Sequence, residues 1–167
     1  MADPAAAPGF AGLERVRAWR AALRGQGRSV AFTNGCFDLV HAGHVRLLTA
    51  ARGAADALVV GLNDDASVRR LKGAGRPLVP QDERGELLAA LEAVDAVVLF
   101  GEDTPLRLIL DLEPDVLVKG ADWPEDRIVG AREVRAWGGE VVRVELVPGT
   151  STSAIIRRIR ERYGSAG

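Results

Sequence analysis

The sequence predicts an α/β fold, a single Rossmann-like doubly wound domain built on a five-stranded parallel sheet. Three observations predict it. Short runs rich in Val and Leu alternate with segments of helical periodicity along the chain. The runs are apolar on both faces, as strands are when helices cover both sides of a parallel sheet. Residues with ligand chemistry cluster just after the runs, where open parallel sheets collect their ligands.

Residues 1–10 are rich in Ala and Pro, carry Asp3, and lack the basic start and long apolar middle of a secretory signal. They read as a flexible tail before a domain at 11–163, with a second short tail at 164–167. Leu13, Val16, Trp19 and Leu23 recur at near-helical spacing and Gly25-Gln26-Gly27 closes the segment, which predicts a leading helix over 12–24. Strands are expected at 29–33, 57–62, 96–100, 116–119 and 140–146. Helices are expected between them at 43–52, 64–71, 82–92, 105–110 and 128–137, with a last one at 153–162.

A length of 167 residues fits one domain with a substantial core. With 22 basic and 23 acidic side chains the formal net charge is -1, so the overall field draws in neither nucleic acid nor an anionic membrane. No apolar run approaches the roughly 20 residues of a membrane-spanning helix. The single Cys36 has no internal disulfide partner, which fits a reducing, cytoplasmic setting.

The densest chemistry lies in Thr33-Asn34-Gly35-Cys36-Phe37-Asp38-Leu39-Val40-His41-Ala42-Gly43-His44, a glycine turn joining a strand to a helix. Backbone N–H groups and the helix dipole favour an anion there, and a glycine between the histidines allows close approach of a nucleotide. No Gly-x-Gly-x-x-Gly follows the first strand and no P-loop occurs, which weighs against dinucleotide oxidoreductases and P-loop enzymes. His41 and His44 could donate to phosphate oxygens, chelate a metal, or serve as ordinary capping or surface residues. For the metal, no carboxylate and histidine cluster completes a ligand set. Trp19, Trp123 and Trp137 are too scattered for a nucleic-acid stacking platform; Trp19 and Trp137 read as packing residues and Trp123 as a rim residue.

Gly35-Cys36-Phe37-Asp38 followed by His41-Ala42-Gly43-His44 resembles the Gly-x-Phe-Asp and His-x-Gly-His signature of the cytidylyltransferase-like nucleotidyltransferases. More narrowly, residues 32–44, 63–77, 114–122 and 151–159 resemble the heptose 1-phosphate adenylyltransferases, a likeness spanning about residues 28–160. One departure is that Leu146-Val147-Pro148-Gly149-Thr150-Ser151-Thr152-Ser153 stands where cytidylyltransferases often carry Arg-Thr-x-Gly-Ile-Ser-Thr-Thr. The apolar residue in the arginine position argues against a glycerol phosphate or choline phosphate cytidylyltransferase.

The resemblance implies transfer of AMP from ATP to D-glycero-D-manno-heptose 1-phosphate, with Mg2+ on the triphosphate and a homodimeric enzyme. A cytidylyltransferase or adenylyltransferase for another phosphorylated polyol or sugar is the alternative, and a non-catalytic nucleotide-binding module is the rival of another class. His41, His44 and Lys72 take the catalytic roles: the histidines hold the triphosphate and Lys72, in a glycine-bounded loop, closes over the β- and γ-phosphates. Asn34, Gly35, Cys36, Phe37, Asp38 and Gly43 are expected to contact nucleotide. So are Lys119, Gly120 and Asp122 after the fourth strand, and Gly149, Ser151, Thr152 and Ser153 before the last helix. Asn63, Asp64, Arg76 and Trp123 are the candidates for the acceptor side. Cys36 is not expected to act as a covalent nucleophile, because direct transfer between phosphates needs none.

Overall fold

The computed structural model describes residues 6–145 and 149–164, with only the backbone of Glu125. Six parallel strands form one sheet: β1 (Gly9–Phe10), β2 (Val30–Gly35), β3 (Ala57–Asn63), β4 (Ala96–Phe100), β5 (Val116–Gly120) and β6 (Glu140–Val144), in the order β1-β4-β3-β2-β5-β6. The helices are α1 (Leu13–Gly25), α2 (Ala42–Gly53), α3 (Asp65–Lys72), α4 (Gln81–Ala89), α5 (Leu106–Leu112), α6 (Ala131–Ala136) and α7 (Thr152–Tyr163), with a 3-10 turn at Glu125–Arg127.

The doubly wound parallel architecture matches the expectation, but the sheet has six strands rather than five. The additional strand is β1, in a segment expected to be a loose tail. Gly9 donates to the Asp95 carbonyl at 3.1 Å and Ala11 donates to the Val97 carbonyl at 3.1 Å, so two residues suffice to pair with β4. Phe10 then lies against Gly85 of α4, where a Cβ would stand 2.6 Å from its ring. The expected last strand ends at Val144; its final residue Leu146, with Val147 and Pro148, lies outside the described residues, as do residues 1–5 and 165–167 of the expected tails. The sixth helix starts later than expected because Gly130 takes a left-handed φ of 87°. A Cβ there would meet Ile109 at 2.6 Å.

Alternation along each strand sends successive residues to opposite faces. One face carries Val30, Phe32, Val59, Val98 and Leu117 against Val16, Trp19 and Leu23 of α1, Leu108 and Ile109 of α5, and Val134 of α6. The other carries Ala31, Leu58, Val60, Val97 and Val118 against Leu48 and Ala51 of α2 and Leu88 of α4. Each fully buried Val, Leu or Phe stabilises the fold by about 1.5–3 kcal/mol.

From β2 the chain builds outward through β3 and β4, then returns to place β5 and β6 on the other side of β2. The order reverses between β2 and β5, and the crevice outside their carboxyl ends is where such sheets hold ligands.

Candidate active site

β2 ends at Gly35 and the chain enters α2 through a loop in which Phe37 (φ 47°) and Leu39 (φ 55°) hold left-handed conformations. Such conformations cost on the order of 1–3 kcal/mol for residues with side chains and persist only where the surroundings enforce them. Here Asp38, between the two, does the enforcing. Its carboxylate accepts from the backbone N–H groups of Leu78 and Val79 at 3.0 Å and pairs with the Arg76 Nε at 2.5 Å. Burial alone would raise the pKa of Asp38, but those two N–H groups and the Arg76 guanidinium outweigh it and hold the carboxyl below its ordinary range. The Thr152 hydroxyl donates to the Asp38 carbonyl at 2.5 Å, tying the start of α7 to the same loop.

His41 is the N-cap of α2. Its Nδ1 accepts from the N–H groups of Gly43 at 3.1 Å and His44 at 3.4 Å, which places the proton of the neutral ring on Nε2. The His41 and His44 rings stack at 3.8 Å with an 18° tilt, and Phe37 stands 5.1 Å from His44. Burial lowers the His41 pKa. For His44, burial first and the neighbouring His41 second push it down to about 4, against a weaker opposing pull from Asp38. Both imidazoles are therefore neutral at pH 7, and His44 Nδ1 is buried with no hydrogen-bond partner among the described residues. Packing also requires a glycine at 43: a Cβ there would lie 2.7 Å from Thr150 Oγ1 and 3.0 Å from the His41 ring. The glycine lets the lead-in to α7 close onto α2.

These elements enclose a cavity of about 730 Å³ beyond the carboxyl ends of β2, β3, β4 and β5. Of the residues expected at the site, Asn34, Gly35, Cys36, Phe37, Asp38, His41, Gly43, His44, Asn63, Lys72, Arg76, Lys119, Gly120, Asp122, Trp123, Ser151, Thr152 and Ser153 line its wall. Asp64 and Gly149 do not. Asp64 is instead the N-cap of α3, accepting from Ser67 N–H at 2.7 Å, with its carboxylate packed over Gly101. Gly149 turns the backbone with φ 79° before α7. Asp38 lies in the wall, but its side chain is 0% exposed and fully engaged, so it organises the loop and has no surface to offer a nucleotide. Asn63 is likewise turned inward, its amide donating to Ser67 Oγ at 3.2 Å.

Lys72 ends α3 on the cavity edge, just before Gly73 at φ 95°. Lys119 ends β5, and its ammonium contacts the Asn34 amide oxygen at the end of β2. Burial pushes the Lys119 pKa down to about 8, with Asp122 opposing. Burial also raises the Cys36 thiol, over the opposing pull of Lys72, Arg84 and Arg76, so Cys36 is not a ready thiolate. Ser151 caps α7 by accepting from Ala154 N–H at 3.1 Å.

Two groups of residues escaped the sequence. The loop after β4 contributes Asp103, Thr104 and Pro105, beside Phe100 on the strand itself, and the 3-10 region contributes Arg127, Ile128 and Val129. The position of Thr104-Pro105 just past a strand end was a usable signal. Arg84, fully buried behind the wall, donates to the carbonyls of Val79 at 2.9 Å, Cys36 at 2.5 Å and Asn63 at 2.9 Å, and pairs with Asp65 at 2.7 Å. Nothing in its sequence surroundings marks it.

Among the described residues no group of three His, Cys, Asp or Glu side chains is placed to cage a metal. No described helix is long and apolar enough to cross a membrane.

Residues 32–158 match the model of the cytidylyltransferase-like family. The chain is 57% identical over 148 residues to the bifunctional protein HldE of Rhodopseudomonas palustris, covering 89% of this chain and 29% of that protein. It is 55% identical over 147 residues to the bifunctional protein HldE of Methylobacillus flagellatus, covering 88% of this chain and again 29% of the relative. The chain thus spans under a third of the length of these curated relatives. Among solved structures, a lipopolysaccharide core biosynthesis protein from Thermoplasma volcanium superimposes with a TM-score of 0.60 at 25% identity, covering 72% of this chain and 98% of that one. A pantoate-beta-alanine ligase from Francisella tularensis, complexed with an ATP analogue and beta-alanine, shares the fold with a TM-score of 0.63 at 14% identity, covering 89% of this chain and 72% of its own.

Proposed function

The chain belongs to the cytidylyltransferase-like family of nucleotidyltransferases, and from that premise we propose that it adenylylates D-glycero-D-manno-heptose 1-phosphate, giving ADP-heptose and pyrophosphate. The likeness to HldE proteins supports the choice of ATP and heptose phosphate. The observation that carries the chemistry is the stacked, neutral His41 and His44 pair at the N-terminus of α2, within one cavity with Lys72 and Lys119.

In this reading a phosphate oxygen of the sugar 1-phosphate attacks the α-phosphorus of ATP, a new P–O bond forms in line, and the bond to the β-phosphate bridge breaks to release pyrophosphate. No protein nucleophile takes part. The work of the chain is positioning and stabilisation of charge that spreads over the α-phosphate oxygens. His41, with Nδ1 committed to the helix cap, donates outward through Nε2, and the free N–H of neutral His44 donates beside it. Fixed donors of this kind need no reorganisation as charge develops. The dipole of α2 adds positive potential at the same point. Lys72, at the C-terminal end of α3 on the cavity edge, neutralises the leaving pyrophosphate.

Mg2+ fits as a companion of the triphosphate rather than a resident of the protein, since the described side chains offer no cage for it. It would supply charge neutralisation on the phosphates. A homodimer and a cytoplasmic location complete the proposal; light scattering tests the first and cell fractionation the second.

The test of function is pyrophosphate release by the purified chain with Mg2+ and either ATP or CTP, against a panel of phosphorylated sugars and polyols. Release with ATP and heptose 1-phosphate is the expected result. Release only with CTP, or nucleotide binding without turnover on any acceptor, overturns it.

A further inference from the structure

β2 and β5 are neighbours at the point where the strand order reverses, and their register carries a consequence for charge. Two residues beyond the paired Phe32 and Leu117, Asn34 and Lys119 stand side by side on the same sheet face. The Lys119 ammonium is thereby held largely out of water on the wall of the cavity proposed to take the nucleotide, and its hydrogen-bond partner is a neutral amide oxygen rather than a carboxylate. A desolvated ammonium with no directly bonded anion favours its neutral form until a negative charge arrives.

The surrounding charges do not cancel this. Asp122 on the loop after β5 favours the charged form but does not offset the loss of water. Across β2, Asp38 is consumed by Arg76, Leu78 and Val79, and the Cys36 thiol stays protonated. On α2 the two histidines are neutral. Arg143, in register with Lys119 on β6, donates to the Ala121 carbonyl at 2.7 Å, and Arg127 in the 3-10 turn lines the same cavity, so neither brings an anion to Lys119.

We infer that Lys119 couples nucleotide binding to protonation: poised by the Asn34 amide, it takes up a proton from solvent when the phosphates of ATP enter the cavity. The inference rests on the proposed nucleotide site. With the free-enzyme value at about 8, the unprotonated fraction is about one half at pH 8 and a few hundredths at pH 6.5. Proton uptake on binding therefore grows with pH over this range. Uptake by His41 or His44 has the opposite trend: their rings are already neutral in the free protein, so uptake equals the protonated fraction of the bound form, which falls as pH rises.

Isothermal titration calorimetry of the full chain with ATP, in pairs of buffers of different ionisation enthalpy at pH 6.5, 7.25 and 8.0, reads the proton number directly. The expected result is uptake rising to about half a proton at pH 8. Lys119→Arg, which keeps a cation that does not titrate there, should bind ATP with no such uptake. Asn34→Asp, which sets a carboxylate against the ammonium, should also abolish it by protonating Lys119 beforehand. Binding without uptake in the unaltered protein, uptake that falls with pH, or uptake preserved in Lys119→Arg overturns the inference while leaving the nucleotide site in place. Absence of any ATP binding heat, confirmed by equilibrium dialysis, overturns the site and the inference with it.

Discussion

Replacing Arg84 with Met tests whether the cavity wall is held from behind by one buried guanidinium. The side chain is fully buried and joins three segments through its bonds to Val79, to Cys36, and to Asn63 and Asp65 at the β3–α3 junction. Met keeps most of the volume and removes every donor. Three carbonyls lose a partner, and Asp65, 24% exposed, keeps partial access to water. Breaking a buried ion pair costs on the order of 3–5 kcal/mol, and each stranded buried polar group about 1–3 kcal/mol before relaxation and water entry reduce the sum. The expected loss is about 4 kcal/mol in unfolding free energy, read from urea denaturation as a lower midpoint at unchanged slope. Turnover should fall at least about tenfold under conditions where the variant remains folded, because the loops carrying Cys36 and Val79 lose their common tie. Arg107→Met is the control: Arg107 is 75% exposed in its pair with Asp111, and such surface pairs contribute about 0.5 kcal/mol or less. A loss under about 1 kcal/mol for Arg84→Met, or a loss equal to that of the control, would refute the reasoning.

His44→Ala removes a donor at the reacting phosphate and should lower kcat about 100- to 1,000-fold, with circular dichroism unchanged; near-normal pyrophosphate release would remove His44 from its role. The same residue sets a pH dependence. The folded protein holds His44 at about 4 against an ordinary 6.5, so its contribution to stability is complete above 6.5 and is lost as pH falls toward 4. That amounts to at most about 3–4 kcal/mol, and urea midpoints at pH 7 and 4.5 should converge in His44→Asn relative to the parent. Gly43→Ala inserts a Cβ 2.7 Å from Thr150 Oγ1, and should cost about 1–3 kcal/mol while cutting turnover, by pushing the α7 lead-in off α2; a thermal shift with an unaltered melting temperature would contradict this. Asp38→Asn keeps the shape but uncouples Arg76, and should lower stability by about 2–4 kcal/mol with a smaller acid sensitivity below pH 4 in denaturant titrations.

The parallel sheet and the segment 33–44 were legible because each rests on contiguous information: alternating runs for the strands, and one short stretch in which turn, histidines and helix start follow one another. The rest depended on partners far along the chain. β1 is two residues long, too short to carry a period, and exists because β4 has an edge to pair with. Arg84 sits in a helix whose neighbours Asp82, Glu83 and Glu86 give it the look of a solvated face, and only the convergence of three loops behind it creates its burial. Asp38 and Arg76 were expected to face ligands; 38 residues apart in sequence, they pair with each other, and Arg76 lines the cavity as well. Asp64 has the chemistry of a ligand residue and equally that of a helix cap, and its place one residue before α3 decides for the cap. The loop after β4 obeys the same strand-end rule as its neighbours but carries no motif to draw the eye.

The two-residue strand at Gly9–Phe10 bears on how this protein can be handled. By occupying the outer edge of β4, it takes up backbone groups that an incoming strand of another molecule could otherwise use. Trimming the chain past Phe10 would strip that edge and uncover the groove beside Gly85. A shortened form would then expose an apolar strand to self-association, so an expression tag belongs ahead of Gly9 and a domain boundary drawn at residue 11 falls on the wrong side of the protein's own protective edge.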